Sequence, residues 1–317
     1  MSFRRTHLLG LAGLDAGEIG DLLDRAESSW EAAGTSGWRA ERTPAIARLS
    51  VVNLILEPST RTRCSFEIAE ERLGAEHLSV GNEGLSLIKG ETLSDTGRTL
   101  QAMGVNVFVV RHPEVGAPAR LADELPGAHV VNAGDGTGEH PTQGLLDLLV
   151  MRRLWGAFAG RRVVIVGDVL HSRVARSAVH GLHALGGSAT LCGPPHLLPE
   201  ASGWPGATVA EDLDGALEGA DAVMALRIQR ERFVAGEALP DRAAYRQRFG
   251  LTRERVERLG DALVLHPGPF NRDVEIDGEV IDSGRTAVWT QVRAGVAVRM
   301  AVLTALAESG SSAGSES

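Results

Sequence analysis

The sequence predicts an α/β protein built from two doubly wound parallel-sheet domains. Short apolar runs typical of buried strands alternate with longer amphipathic stretches typical of helices along the 317 residues. An apolar fraction of 43% is enough to bury a sizeable core, and this length favours two domains over one. The alternation restarts near residue 150, where the run Val163–Val166 begins a second α/β unit.

These observations predict domains over residues 1–150 and 151–289. The last helix, about 290–307, is expected to pack back on the first domain, and the Ser- and Gly-rich tail 309–317 to be disordered. Ligands of open α/β sheets bind beyond the carboxyl ends of the strands, often between domains. We therefore expect the active site between the two domains.

Local signals place the elements of the first half. Asp15 and Glu18 form a capping-box pattern ahead of a helix over 19–30. A strand over 49–56 leads into a helix over 60–73, which Gly74 can close in the left-handed conformation. The remaining elements are a helix over 91–103, strands over 105–110 and 128–131, a Gly-rich loop over 134–138 and a helix over 141–155.

The second half follows the same alternation. Its predicted strands cover 163–166, 190–192, 222–226 and 262–265, with helices between them. Asp277-Gly278 lies between two short apolar runs, which is a hairpin signal.

Composition excludes several classes of function. The net charge is −9 and no basic run recurs, which argues against nucleic acid and acidic membrane surfaces as partners. No window approaches the roughly 18 apolar residues of a membrane span, and the N-terminus lacks a signal-peptide pattern. The two cysteines, Cys64 and Cys192, are too few for a disulfide framework or a four-cysteine zinc site. A cytoplasmic protein is expected.

An anion site is predicted where the first long strand ends. The segment 57–67, EPSTRTRCSFE, places hydroxyls and an arginine at the start of a helix. Backbone N–H groups and the helix dipole favour an anion there. Arg61 can add a bidentate contact, and the hydroxyls of Ser59, Thr60 and Thr62 add donors. The segment is therefore a candidate phosphate site.

Polar clusters also follow the other strands. They are Arg111-His112-Pro113, His140-Pro141-Thr142-Gln143, Asp168 with His171-Ser172-Arg173, Arg227-Ile228-Gln229, and His266-Pro267-Gly268-Pro269. Each alone has a structural explanation: a solvated or paired arginine, a loop histidine, or Asp168 as a helix cap. Together they are rich in arginine and contain no obvious nucleophile or metal cluster, which indicates a pocket for several anionic groups.

With Lys89-Gly90-Glu91-Thr92, these motifs resemble the aspartate/ornithine carbamoyltransferase family over about residues 8–306. The resemblance implies transfer of the carbamoyl group of carbamoyl phosphate to the amine of L-aspartate, giving N-carbamoyl-L-aspartate and phosphate in pyrimidine (UMP) synthesis. It implies no cofactor and no metal. The first domain would bind carbamoyl phosphate and the second aspartate.

The resemblance also implies a role for each site residue. Carbamoyl phosphate would contact Ser59, Thr60, Arg61, Thr62, Arg111, His140, Gln143, Pro267, Gly268 and Pro269. The implied catalytic residues, which stabilise the oxyanion on the carbonyl oxygen, are Arg61, Thr62, Arg111 and His140. Aspartate would contact Lys89, Arg173, Arg227 and Gln229, with two arginines for its two carboxylates.

The same resemblance also implies an oligomeric state and partner proteins. Ser86 and Lys89 would reach the active site of a neighbouring subunit, which implies a homotrimer with shared sites. The segment 271–275 resembles family members found in complexes with dihydroorotase, and a regulatory chain is a further open partner.

Three alternatives remain. A carbamoyltransferase for ornithine typically carries a His-Cys-Leu-Pro segment, which is absent here, and Arg227 would repel the ornithine ammonium. A nucleotide-dependent oxidoreductase would need a G-x-G-x-x-G turn, whereas 166–171 holds a single glycine. An inactive scaffold is disfavoured because the arginines and His140 are intact.

Overall fold

Two all-parallel β-sheets organise the chain, which confirms the predicted fold class. The computed structural model describes residues 2–39, 43–81, 90–229 and 241–312. The chain divides into one unit of Met1–Leu149 with the segment from Val292 onward, and a second unit of Val150–Gln291.

The first sheet has the strand order β2-β1-β3-β4. Its strands are β1 Ser50–Ile55, β2 Glu76–Gly81, β3 Val107–His112 and β4 His129–Asp135. The helices of this half are α1 Ala16–Ser28, α2 Trp30–Gly34, α3 Thr60–Leu73, α4 Leu93–Ala102, α5 Ala117–Glu124 and α6 Pro141–Trp155. The chain first adds β2 on one side of β1 and then returns to add β3 on the other.

Side-chain caps fix the ends of the first helices. Asp15 accepts from the backbone N–H of Glu18 while the Glu18 carboxylate accepts from that of Asp15, so the predicted capping box is confirmed. Helix α3 has the predicted bounds, since Ser59 caps its start and Gly74, at φ 71°, ends it in the left-handed region.

The core of the first sheet explains why its central strands are almost wholly apolar, with Asn53 of β1 as the buried polar exception. Val52 and Leu54 of β1 pack with Phe108 and Val110 of β3, and each of these side chains is fully buried. Strands of a parallel sheet are covered on both faces, so they show no apolar and polar alternation.

The second sheet has the order β7-β6-β5-β8-β9. Its strands are β5 Arg162–Val166, β6 Ser188–Cys192, β7 Ala207–Ala210, β8 Ala222–Ala225 and β9 Leu263–Leu265. The remaining helices are α7 Arg173–Ala184, α8 Leu213–Leu217, α9 Arg242–Phe249, α10 Arg253–Arg258, α11 Gly278–Asp282 and α12 Val288–Ser312. Here β6 and β7 lie on one side of β5, and β8 and β9 on the other.

The predicted hairpin at Asp277-Gly278 is wrong. A type I′ turn needs positive φ at both central residues, whereas Asp277 has φ −67° and precedes helix α11. The Asp277 carboxylate accepts two hydrogen bonds from Arg246, both at 2.7 Å. This ion pair holds Asp277 in an extended conformation ahead of the helix.

Two further boundaries differ from the prediction. Helix α12 continues through Ser312, so disorder from residue 309 is wrong for 309–312, where the Ser309 hydroxyl bonds the carbonyl of Leu306; residues 313–317 lie outside the described residues. Strand β4 extends to Asp135 and takes in the start of the predicted Gly-rich loop. Among the helices of the described ranges, none combines the length and apolarity needed to cross a bilayer.

A buried carboxyl group lies between β1 and α3. Glu70 is fully buried, and its Oε2 accepts from Asn53 Nδ2 at 2.8 Å. Burial raises the pKa of Glu70 to about 7, although the Asn53 hydrogen bond and the charge of Arg299 oppose that shift. Burial also lowers the pKa of Arg299 to about 9, and its guanidinium lies 4.8 Å from the centroid of the Phe66 ring.

We expect Glu70→Gln to stabilise the protein at high pH. The pKa of Glu70 is raised from 4.5 to about 7 on folding, so its contribution to stability is complete below pH about 4.5 and is lost as the pH rises to about 7. At pH 8 the variant should therefore exceed the wild type by about 3 kcal/mol in unfolding free energy. Denaturant unfolding between pH 5 and 8 measures the difference, with Glu27→Gln at an exposed position of α1 as the control, because Glu67 on the same helix itself raises the pKa of Glu70. A gap that does not grow with pH contradicts the prediction.

Candidate active site

Each sheet has one point at which the strand order reverses, and the predicted site residues follow the strands on both sides of it. In the first sheet that point lies between β1 and β3, where Ile55 pairs with Arg111. In the second sheet it lies between β5 and β8, where Val166 pairs with Ala225. The crevice beyond the carboxyl ends of the strands at such a point is the usual ligand site of an open α/β sheet.

The candidate phosphate site begins at the N-terminus of α3. The Ser59 hydroxyl donates to Thr62 Oγ1 at 2.8 Å and accepts from the Thr62 backbone N–H at 3.3 Å. Thr62 is buried, while Thr60 and Arg61 are exposed. With its oxygen already accepting from Ser59, the Thr62 hydroxyl has its own proton to donate, as an anion at this helix end requires.

Arg111, at the end of β3, is oriented by two acceptors. Its Nη2 lies 2.9 Å from the Glu57 carboxylate, and its Nη1 donates to the carbonyl of Ala133 at 3.2 Å. Glu57 directly precedes the loop that starts α3, and the Leu56 N–H donates to the Arg111 carbonyl at 2.8 Å. The structure thus brings the loop after β1 and the arginine after β3 together.

A buried carboxylate shapes the loop after β4. Asp135 accepts from the backbone N–H groups of Gly116 and Glu139, at 2.7 and 2.8 Å, and from Asn132 Nδ2 at 2.9 Å. The loop ends at His140, which is 4% exposed and directly precedes α6. Asp135 therefore fixes the backbone that delivers His140 to the carboxyl edge of the first sheet.

Gln143 lies in the first turn of α6 with its amide oriented. Its Nε2 donates to Asp147 Oδ1 at 3.0 Å, and both side chains are buried. Because the NH₂ group is used in this bond, the amide oxygen is directed away from Asp147. That oxygen can accept from a ligand NH₂ group.

Asp168 organises the corresponding edge of the second sheet. Its fully buried carboxylate follows β5 and lies 2.8 Å from His171 Nδ1 through Oδ1, while Oδ2 accepts from the Gln229 N–H at 3.1 Å. The Gln229 side chain in turn donates to the His171 carbonyl at 2.9 Å. Ser172, not Asp168, caps α7, so Asp168 instead joins the loop after β5 to the loop after β8.

The two arginines predicted to bind carboxylates lie in these two joined loops. Arg173 is the first residue of α7 and is 5% exposed. Arg227 follows β8 and is partly buried, and its Nη1 donates to the carbonyl of Ile228 at 3.3 Å. A guanidinium on each side of the reversal point suits a ligand with two carboxylates.

The turn after β9 carries the last predicted residues, Pro267–Pro269. The Gly268 N–H donates to His266 Nδ1 at 2.8 Å, and Gly268 has φ 64°. His266 is itself buried and lies close to the buried carboxylate of Glu275. Ser86 and Lys89 lie outside the described residues.

The carboxylates of Glu57, Asp135 and Glu275, which orient these groups, were not predicted from the sequence, and Asp168 was given a different role. Asp168 carries a signal that could have been used, because it lies one glycine beyond the apolar run 163–166, where a charged side chain is buried only if it is paired. Among the described residues, no group of three histidine, cysteine, aspartate or glutamate side chains could hold a metal ion.

Comparison with protein families assigns both halves of the chain. Residues 6–153 match the carbamoyl-P binding domain of aspartate/ornithine carbamoyltransferase, and residues 159–306 match its Asp/Orn binding domain. The chain belongs to the aspartate/ornithine carbamoyltransferase family. The resemblance stated from the motifs is confirmed.

Similar relatives of the chain carry the name of the aspartate branch of this family. The chain is 52% identical over 308 residues to the aspartate carbamoyltransferase catalytic subunit of Xanthomonas campestris, covering 96% of each chain. It is 50% identical over 301 residues to that of Gemmatimonas aurantiaca, covering 95% of this chain and 93% of the relative.

Solved structures of both branches are similar in fold. Aspartate transcarbamoylase from Trypanosoma cruzi, in complex with carbamoyl aspartate and phosphate, matches with TM-score 0.80 at 28% identity over 96% of each chain. Ornithine carbamoyltransferase from Pyrococcus furiosus matches with TM-score 0.81 at 26% identity over 96% of this chain and 97% of that one. Fold similarity therefore does not distinguish aspartate from ornithine as the amino-acid substrate.

We expect Gly167→Ala to destabilise the second unit strongly. Gly167 follows β5 with φ 132°, and a Cβ there would lie 2.5 Å from the carbonyl oxygen of Leu226. Gly160→Ala is the matched control, because Gly160 also has positive φ (77°) but has no atom within 4 Å of its Cβ position. We predict losses of about 3 kcal/mol for Gly167→Ala and about 1 kcal/mol for Gly160→Ala. Denaturant unfolding tests this, and equal losses would contradict the close approach.

Proposed function

We propose that the protein transfers the carbamoyl group of carbamoyl phosphate to the amine of L-aspartate, releasing N-carbamoyl-L-aspartate and phosphate, in pyrimidine synthesis. The main support for aspartate as the amino-acid substrate is the pair Arg173 and Arg227. One follows β5 and the other follows β8, on the two sides of the reversal point of the second sheet. An arginine attracts a second carboxylate and repels the ammonium group of ornithine. The names of the relatives near 50% identity support the same choice.

In the first unit, the proposed substrate is carbamoyl phosphate. The N-terminus of α3 with Ser59, Thr60, Arg61 and Thr62 would bind the phosphate, as its hydroxyls and N–H groups favour.

Three other residues of that unit would bind the carbamoyl group. Arg111 and His140, with Thr62, would polarise the carbonyl oxygen, and the Gln143 amide oxygen would accept from the carbamoyl NH₂. Arg111 and Gln143 are already oriented by Glu57 and Asp147, and Asp135 fixes the backbone that precedes His140. Such preorganisation is the main source of charge stabilisation in catalysis.

In the second unit, the proposed substrate groups are the two carboxylates of aspartate. Arg173 would bind the α-carboxylate and Arg227 the side-chain carboxylate, with Gln229 supporting. The backbone of Pro267 and Gly268 would accept from the carbamoyl NH₂, and Pro269 would shape that turn. Lys89, outside the described residues, would add positive charge.

The reaction needs no covalent enzyme intermediate. The aspartate amine forms a C–N bond to the carbamoyl carbon, negative charge develops on the carbonyl oxygen, and the C–O bond to phosphate then breaks. The leaving phosphate can accept the proton that the amine loses. The protein's part is to hold two anions in attacking geometry and to stabilise the oxyanion.

We further propose that the chain works as a cytoplasmic homotrimer, with Ser86 and Lys89 completing a neighbouring subunit's site. The support for shared sites is the motif Lys89-Gly90-Glu91-Thr92, and both cysteines being free thiols supports a reducing compartment. Assembly with dihydroorotase stays a prediction from the segment 271–275, and a regulatory chain stays an open partner.

A product assay tests the reaction. The purified protein is incubated with carbamoyl phosphate and either L-aspartate or L-ornithine, and carbamoyl-amino acid and phosphate are quantified. We expect carbamoylaspartate and an equal amount of phosphate with aspartate, and neither product with ornithine. Citrulline formation would favour the ornithine alternative, and no product with either substrate in folded protein would favour the inactive scaffold.

Removal of Arg227 should weaken aspartate binding selectively. We expect Arg227→Ala to raise KM for aspartate roughly a hundredfold, because one carboxylate loses its charged partner, while KM for carbamoyl phosphate changes little. Steady-state kinetics with each substrate varied in turn measures the split. Arg248→Ala, which removes an exposed arginine of α9 in the same unit, is the control. An unchanged KM for aspartate would remove the assignment of Arg227.

A further inference from the structure

The turn Pro267–Pro269 is held by a histidine that the proposed mechanism does not use. His266 follows β9 and is 2% exposed. Its backbone N–H donates to Gln291 Oε1 at 3.0 Å, and its ring meets the Phe270 ring edge-on at 5.7 Å between centroids. The ring therefore has a fixed place, and Nδ1 accepts from the Gly268 N–H at 2.8 Å.

This hydrogen bond sets the direction of a backbone carbonyl. The peptide between Pro267 and Gly268 is planar, and in a trans peptide the C=O and the N–H point in opposite directions. Because the Gly268 N–H points at His266, the Pro267 carbonyl points away from the imidazole. The bond thus presents a carbonyl oxygen as an acceptor on the far side of the turn.

The same bond fixes the tautomer of His266. A nitrogen that accepts from an N–H carries no proton, so the neutral ring has its proton on Nε2. Nε2 lies 3.4 Å from Glu275 Oε1 without forming a hydrogen bond among the described residues, and Glu275 is 1% exposed. A carboxylate this close favours the tautomer that places a proton on its side of the ring, the one with the proton on Nε2.

Burial of the Glu275 carboxylate is energetically unfavourable, and only part of its hydrogen-bonding capacity is used. Its Oε1 accepts from the Asn271 N–H at 2.5 Å, whereas its Oε2 has no hydrogen-bond partner among the described residues. The nearby hydroxyl of Tyr245 is likewise buried without a partner there. Burial, followed by the negative charge of Glu275, raises the pKa of that hydroxyl. A buried charge held this way lowers stability, so its presence beside His266 calls for a functional reason.

We propose that Glu275 and His266 form a positioning dyad that aims the Pro267 carbonyl at the NH₂ group of the carbamoyl substrate. Glu275 keeps the proton on Nε2, Nδ1 then accepts from Gly268, and the peptide plane directs the carbonyl. This inference rests on the proposed carbamoyl transfer and assigns that site two residues which do not touch substrate. Neither side chain exchanges a proton with the reacting atoms.

Paired substitutions at His266 test the dyad. His266→Asn keeps an acceptor where Nδ1 lies, whereas His266→Phe keeps the ring shape and removes the acceptor. We expect His266→Phe to raise KM for carbamoyl phosphate roughly tenfold, the value of one lost hydrogen bond, with a smaller change in KM for aspartate. His266→Asn should stay within about threefold of the wild type. Unchanged kinetics in folded His266→Phe would overturn the proposal.

Substitutions at Glu275 test the second member. Glu275→Leu should reproduce the KM shift of His266→Phe, and Glu275→Gln should restore part of it because the amide oxygen keeps a partial negative charge near Nε2. Glu279→Leu makes the same chemical change at an exposed position of α11 and is the control. If Glu275→Leu folds and leaves KM for carbamoyl phosphate unchanged, Glu275 has no positioning role.

A spectroscopic measurement on the wild type tests the His266 tautomer independently of the kinetics. In protein labelled with ¹⁵N at histidine, His266, assigned by its loss in whichever of His266→Asn and His266→Phe folds, should show an unprotonated Nδ1 and a protonated Nε2. A protonated Nδ1 would overturn the dyad whatever the kinetics of the variants show. If the tautomer is as expected but the wild type transfers no carbamoyl group, the proposed function fails and the substrate role of the turn fails with it.

Discussion

Reversal of strand order at one point in each sheet is the constraint on which the rest of the site depends. Parallel strands present their loops at one edge, and the loops on either side of the reversal diverge to opposite faces of the sheet, leaving a crevice. In the first sheet the diverging loops carry Ser59–Thr62 and Arg111, and in the second they carry Arg173 and Arg227. One topological rule applied twice thus accounts for the positions of the two proposed anion sites.

A crevice of this kind determines where the backbone of the adjoining loops lies, but it does not orient their guanidinium groups. Buried or partly buried carboxylates supply that orientation: Glu57 holds Arg111, and Asp168 joins the loops that carry Arg173 and Arg227. Asp135 does the same for the loop before His140 by accepting three N–H groups. Charge-assisted hydrogen bonds are the strongest available to a loop, so each carboxylate fixes a segment that has no regular secondary structure.

Elements with local signals at both ends could be predicted from the sequence. Helix α3 was placed to the residue, because the Ser59 cap and Gly74 are both local. The strands β2 and β7 were not predicted, because their side chains are largely exposed and give no buried apolar run, whereas the edge strand β4 is buried and was predicted. The Asp277 error has a related cause, since the ion pair with Arg246 is formed by residues 31 apart in sequence.

The site residues show the same contrast between local and long-range signals. The donors proposed to face a ligand could be predicted because each follows a strand, and the strands were recognisable from the sequence. Their orienting partners could not, since the distance between Arg111 and Glu57, or between His266 and Glu275, is set by tertiary packing. A buried acid directly after an apolar run, as at Asp168, is the exception that the sequence does display.

The overall negative charge of the chain makes local contacts essential for binding anionic substrates. A net charge of −9 opposes the approach of anionic substrates, but exposed charges are screened beyond about 8 Å at physiological ionic strength. Affinity for two anions must therefore come from groups in direct contact with them. Arg173 is 5% exposed, and desolvation strengthens a guanidinium–carboxylate pair well beyond its value at the surface. In the proposed assignment, the specificity for an acidic amino acid is thus a property of Arg173 and Arg227 and not of the molecule's overall field.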